Sequence, residues 1–206
     1  MKKIIITLAL AAASIVCANA QVRIEGALTT TSYAFKSGQE NIISKNGLGP
    51  AGRIFYYLES TSNFGLEIGA GYTGRSTVLN SLSILSTNID TNVSTSTIEV
   101  PIHGYYNIKI GRILAITPMI GLYADYHIGG KLVTGTSSAS VNGNPFEGYP
   151  YLKKFNFGTD NELLITIAET FTVGAGIQYS FLNMCAKSED PAIIPCTAYF
   201  AVGVKF

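Results

Sequence analysis

The stretch Thr197-Ala198-Tyr199-Phe200-Ala201-Val202-Gly203-Val204-Lys205-Phe206 decides the fold. Side chains of a strand alternate between two faces. Phe206, Val204, Val202 and Phe200 therefore share one side, and Lys205, Gly203, Ala201 and Tyr199 share the other. An apolar band bounded by aromatics and backed by small or polar residues suits a strand with lipid outside and a filled lumen inside. Phe206 is then both part of an aromatic girdle and a candidate assembly signal, because its strand must close against the first.

The same alternation recurs upstream. Val22 to Phe35 places Val22, Ile24 and Leu28 opposite Arg23, Glu25 and Thr29. A short strand spans Gly52 to Glu59. Phe64 to Arg75 alternates Phe64, Leu66, Ile68, Ala70 and Tyr72 with Gly65, Glu67, Gly69, Gly71 and Thr73. Thr95 to Lys109 sets Ile98, Val100, Ile102, Tyr106 and Ile108 against Glu99, His103, Tyr105, Asn107 and Lys109. Ile113 to Ile128, Lys153 to Ala168, Phe171 to Leu182 and Thr197 to Phe206 complete eight strands. The expected fold is all-β, an eight-stranded antiparallel up-and-down transmembrane barrel.

Ser37–Gly49, Ser76–Ser94, Gly129–Tyr151 and Asn183–Pro195 read as long polar loops, the second with room for some strand extension, and Asn142-Gly143 and Pro145 as turn formers. Ser60–Asn63, Ile110–Arg112 and the joint after Ala168 are short. Long loops outside the cell and short periplasmic turns are the asymmetry of such barrels, and an even strand count leaves both termini periplasmic. Phe64, Tyr106, Phe171 and Phe206 fall near the inner edge. Tyr72, Tyr126, Phe157 and Tyr179 fall near the outer one, giving the two girdles that interfaces favour.

Composition agrees. Charged residues make up 13% of the chain, against about 25% in a typical soluble domain. A soluble barrel or sandwich with its apolar face inward would show the same alternation, but its other face would carry Lys and Glu. Here that face is largely Gly, Ala, Thr and Tyr. In lipid every backbone N–H and C=O must be paired internally, which a closed barrel achieves without helices.

The chain opens as an export signal does. Lys2 and Lys3 precede the apolar run Ile4 to Val16, and Ala18-Asn19-Ala20 places small residues where a signal peptidase reads. Cleavage between Ala20 and Gln21 divides the chain into a signal peptide, 1–20, and a barrel domain, 21–206. The run is shorter than the about 20 residues that span a bilayer, and Val16 stands before Cys17 where a lipoprotein wants a small residue. The signal removes two lysines from 14 basic and 13 acidic residues, leaving a near-neutral barrel with no basic surface for nucleic acid. Cys185 and Cys196 are an even pair in an exported chain and read as a disulfide across one loop. They lack the Cys-x-x-Cys spacing and the neighbouring His of a redox or metal site.

Two segments carry a family resemblance. Ile98-Glu99-Val100-Pro101-Ile102, followed by Tyr105-Tyr106-Asn107, resembles the Glu-Ile-Pro-type strand of the small outer-membrane β-barrel domain family, often labelled porin-like. Ile177-Gln178-Tyr179-Ser180-Phe181-Leu182-Asn183 resembles that family's penultimate strand, with Phe181 where a glycine is common. The resemblance implies an eight-stranded fold like the OmpA and OmpX barrels, in the outer membrane, and no assigned activity. No peptidoglycan-binding domain is expected beyond the barrel.

Inward positions hold Arg23, Glu25, Arg53, Glu67, Glu99, His103, Lys109, Asp125, His127, Asp160, Glu162, Gln178 and Lys205. An eight-stranded barrel has room for little beyond its own side chains, and buried charges persist when paired. Arg53, Glu67, Glu99, His103, Lys109, Asp125 and His127 are therefore expected to form a lumen charge cluster. A catalytic set is the sharper alternative: Asp125 and His127 share a face, with Glu99 at similar height on the next strand. A general base also needs an oriented partner and a placed nucleophile or water, and no residue pattern identifies one. The expected protein is a non-enzymatic outer-membrane barrel with an envelope-structural or surface-interaction role. A passive narrow channel for small solutes is the alternative, and an outer-membrane enzyme a distant third. Outer-membrane lipid, the barrel-assembly machinery and an extracellular surface partner for the loops are the expected partners. No cofactor or metal is expected.

Overall fold

In a computed structural model the described residues are 21–36, 42–58, 63–81, 89–134, 137–139, 153–183 and 192–206. The signal segment through Ala20 and Cys185 lie outside them. Among the described residues no disulfide is formed, and Cys196 is half-buried.

The wall consists of β1 (Val22–Lys36), β2 (Ile42–Leu58), β3 (Phe64–Ser81), β4 (Ile89–Tyr106), β6 (Leu114–Thr134), β8 (Phe155–Ile167), β9 (Phe171–Ser180) and β10 (Ala192–Lys205). Two three-residue strands, β5 (Ile108–Ile110) and β7 (Ser137–Ala139), pair only with β6. All pairings are antiparallel, between sequence neighbours in the wall, and β1 with β10 closes the barrel. That seam runs from Arg23↔Lys205 to Lys36↔Ala192. Phe206 extends it, since its N–H donates to Val22 O at 2.8 Å and its carbonyl accepts from Val22 N at 3.2 Å.

The barrel is inside-out relative to a water-soluble protein, as the alternation requires. Ile24, Leu66, Ile102, Ile120, Leu163 and Val202 face outward and exposed, while arginines, carboxylates and threonines on the opposite parity are buried. The girdle aromatics Phe64, Tyr72, Tyr106, Tyr126, Phe171, Tyr179 and Phe206 are all exposed. Phe157 is only half-buried outward because its ring packs edge-on against Phe181, centroids 5.2 Å apart.

All four expected loops are partly strand. Residues Ile42–Asn46 pair with Thr77–Ser81, β4 begins at Ile89, β6 runs on to Thr134 and β10 begins at Ala192. The first three stretches are rich in Ser, Thr and Asn, so no apolar period marks them. The Gly47-Leu48-Gly49-Pro50 stretch is a register shift within β2, not the end of a loop. A side chain at Gly49 would collide with the Gly74 carbonyl. Beyond Thr31↔Gly47 the ladder between β1 and β2 stops, although each strand continues against its other neighbour.

The fourth expected strand keeps one register along β6, Tyr105↔Met119 and then Ile108↔Ile116. The ladder is interrupted at Asn107, and Ile108–Ile110 resumes it against Leu114–Ile116 up to the turn. Gly111 makes this turn with φ 68°. The β8–β9 turn places Ala168 at φ 52° and Glu169 at φ 61°, and Thr170 N donates to Ile167 O at 3.2 Å. Two successive positive φ values match the handedness that twisted hairpin turns prefer, here within the three-residue connection 168–170.

Candidate functional site

The lumen is filled at mid-height by one continuous network of buried charges. Arg23, from β1, lies at its centre. Its guanidinium donates to Glu25 at 2.5 Å, to Glu67 at 2.9 Å and to Glu162 at 2.9 Å, so carboxylates from β1, β3 and β8 converge on one cation. Arg53 of β2 donates through Nε to the other oxygen of Glu25 at 2.5 Å and stands 3.6 Å from Asp160. His103 of β4 bridges the two groups, with Nδ1 2.8 Å from Glu67 and Nε2 3.3 Å from Asp160. Forked guanidinium–carboxylate contacts of this kind supply direction as well as charge.

Gln178 on β9 joins this network to a second one. Its amide donates to Asp160 at 3.0 Å and to Glu99 at 3.2 Å, and its carbonyl accepts from Arg75 at 3.2 Å. Arg75 also donates to Asp125 at 2.7 Å. Asn156 donates to the same Asp125 oxygen at 3.3 Å and to Tyr123 Oη at 3.1 Å, and accepts from Ser180 Oγ. Tyr199 donates to Asp160 at 2.8 Å.

Aromatic faces complete the packing. The Arg23 guanidinium lies 4.1 Å over the Phe55 ring, and that of Arg53 lies 4.0 Å over Tyr199, positions in which the ring quadrupole attracts the cation. Space for these long side chains comes from small residues on the same face. A Cβ at Gly71 would stand 2.7 Å from Arg53 Cγ, and one at Gly176 would meet the Tyr199 ring.

Six of the seven residues expected in the lumen cluster are there and buried: Arg53, Glu67, Glu99, His103, Asp125 and His127. Lys109 is not. Lys109 keeps the inward parity of Tyr105 and Asn107 but stands at the open mouth of the bore, exposed, at the end of the barrel that carries the short turns. Arg75 was legible and overlooked, since it continues the Glu67-Gly69-Gly71-Thr73 parity of β3 but stands where the expected strand stops. Phe55 and Asn156, both fully buried, had no signal beyond parity. An inward phenylalanine makes sense only once its arginine is known.

The alternative catalytic set is partly assembled. Glu99 and Asp125 are register partners across β4 and β6, and Asp125 Oδ1 is 3.6 Å from His127 Nε2. That separation exceeds the about 3.2 Å reach of a base and its orienting partner. The other Asp125 oxygen is held by Arg75 and Asn156. Glu67, His103 and Glu162 present potential ligand atoms within 4.8 Å of one another. Arg23 already bonds both glutamates at 2.9 Å, so the positive charge a metal would supply there is the guanidinium's.

Comparison with known proteins places this geometry. Residues 5–186 match the outer membrane protein beta-barrel domain family. No curated protein sequence matches the chain. Among solved structures, the outer membrane protein OprG from Pseudomonas aeruginosa is similar with a TM-score of 0.53 at 12% identity, over 92% of this chain and 96% of that one. The attachment invasion locus protein Ail of Yersinia pestis gives 0.47 at 12% identity, over 91% and 99%. Neisserial surface protein A gives 0.43 at 13%, over 91% and 97%. The likeness to OprG is one of fold.

Proposed function

Since the chain belongs to the outer membrane protein beta-barrel domain family, we propose that it is a non-enzymatic barrel acting at the cell envelope or surface, not a pore for solutes. The observation that carries this reading is the mid-height network. Arg23, Glu67, His103 and Gln178, from four different strands, are fully buried and bonded to one another or to shared carboxylates. A conducting path needs water where these side chains stand. Charges fixed this way rigidify a barrel, whose long Ser/Thr/Asn-rich loops are then free to meet an extracellular partner.

Both termini facing the periplasm fits the turn lengths, because Val22 and Phe206 lie beside each other at one end of the seam. Protease added to whole cells should spare the turn at Ala168-Glu169. Phe206 fits a part in the signal read by the assembly machinery. Its deletion should lower the level of folded barrel, and an unchanged level removes that role.

Planar-bilayer recording tests the main reading. The unmodified protein should give no steady conductance of the size seen in 16-stranded porins. Steady opening would instead establish the passive channel.

A further inference from the structure

The end of the barrel bearing the short turns is open. There the lumen widens into a cavity of about 1060 Å³, just above the about 300–1,000 Å³ of pockets that hold small ligands. Tyr57 and Leu164 lie at its inner end, both buried. Around it stand Lys109, Arg112 and Lys205 against a single acidic side chain, Glu169. Lys109 and Arg112 are exposed and make no ion pair among the described residues. Lys205 Nζ lies 4.3 Å over the Tyr57 ring, which turns it towards the bore. The three cations come from different parts of the wall: Lys109 and Arg112 from the β5–β6 hairpin, Lys205 from the last residue of β10.

We propose that this vestibule binds a small oxyanion, a phosphate or a carboxylate. A concave mouth with three cations against one carboxylate and low-dielectric walls focuses field on an anion. The depth of binding is set by the network behind it. Beyond Tyr57 the described lumen holds six buried carboxylates, Glu25, Glu67, Glu99, Asp125, Asp160 and Glu162, against three buried arginines and the two histidines His103 and His127. An anion drawn in by the rim meets repulsion further in and stops at the mouth. The site is thus a binding pocket, not an entrance.

Glu169 supplies the internal control. It shares the rim with the cations and carries the opposite charge, so removing it must act in the opposite direction. The test is solution NMR of the refolded full-length mature barrel in micelles, titrated at constant ionic strength with inorganic phosphate in one arm and citrate in the other. Saturable shifts should be confined to the amides around 109–112, 169–170 and 205. The K109Q/R112Q double variant should weaken binding about tenfold, and E169Q should strengthen it about twofold. Both variants lie on exposed turns, and retained heat-modifiable gel mobility shows that each still folds. Saturation by phosphate alone assigns a phosphate ligand, and saturation by citrate alone a carboxylate. Shifts that grow without saturating in both arms, or an affinity that is the same in K109Q/R112Q, overturn the proposal.

Discussion

The middle of the lumen and its turn end lie inside one barrel wall, yet one is packed solid and the other is hollow. At mid-height, glycines such as Gly71 and Gly176 clear the wall so that Arg53 and Tyr199 can cross it. Acids from facing strands then fix those side chains. At the turn end Lys109, inward by parity, stands at the mouth of the bore and reaches solvent. Strand number sets the width of a barrel, but the side chains at each height decide whether that width is occupied. The contrast also separates two uses of charge. Buried pairs hold the wall together, whereas the exposed Lys109 and Arg112, which make no ion pair among the described residues, are left to act on something else.

The contrast predicts a gradient of effects. Arg23→Met should be the most damaging change, because it leaves Glu25, Glu67 and Glu162 facing one another. A loss of about 3–5 kcal/mol is expected, read as a shift in the urea midpoint of folding into lipid vesicles. A neutral outcome would break the claim that the network is structural. Glu67→Ala comes next, at about 2–3 kcal/mol, since Arg23 and His103 each lose a bonded carboxylate. Glu99→Ala should cost only about 1 kcal/mol. Among the described residues its one hydrogen bond is to Gln178, which keeps Asp160, and the Arg53 guanidinium is 4.0 Å away. If Glu99→Ala exceeds Glu67→Ala, the centre of the network has been misplaced. Lys109→Ala should change stability by less than about 0.5 kcal/mol, and a larger loss would return Lys109 to the lumen.

The barrel was legible because lipid on one side and packed polar groups on the other impose a period of two that survives in Phe64–Tyr72, Ile98–Tyr106 and Phe171–Tyr179. Where that contrast fades, the reading failed. Ile42–Asn46 and Thr77–Ser81 form a ladder with no apolar face, so their composition resembles a loop. Lys109 failed for a different reason. Its parity is inward, since Ile108↔Ile116 continues the Tyr105↔Met119 register, but parity does not say at what height the packed network ends. Within the site, charge and parity located Glu67, His103 and Asp125, but not who bonds whom. Gln178 joins the two halves of the network through three contacts to different strands, which no local pattern encodes.

The seam between β1 and β10 pairs Arg23 with Lys205, residues from opposite ends of the described chain. Contacts between such distant residues form slowly, because the chain between them must be ordered first. Hairpins such as β8–β9 close in microseconds, but the seam waits for every one of them. Until it forms, two strand edges present unpaired N–H and C=O groups, which are templates for aggregation. The order of events in time is therefore written into the register: local hairpins early, the circle last, and a vulnerable open sheet between them that must be kept from its neighbours.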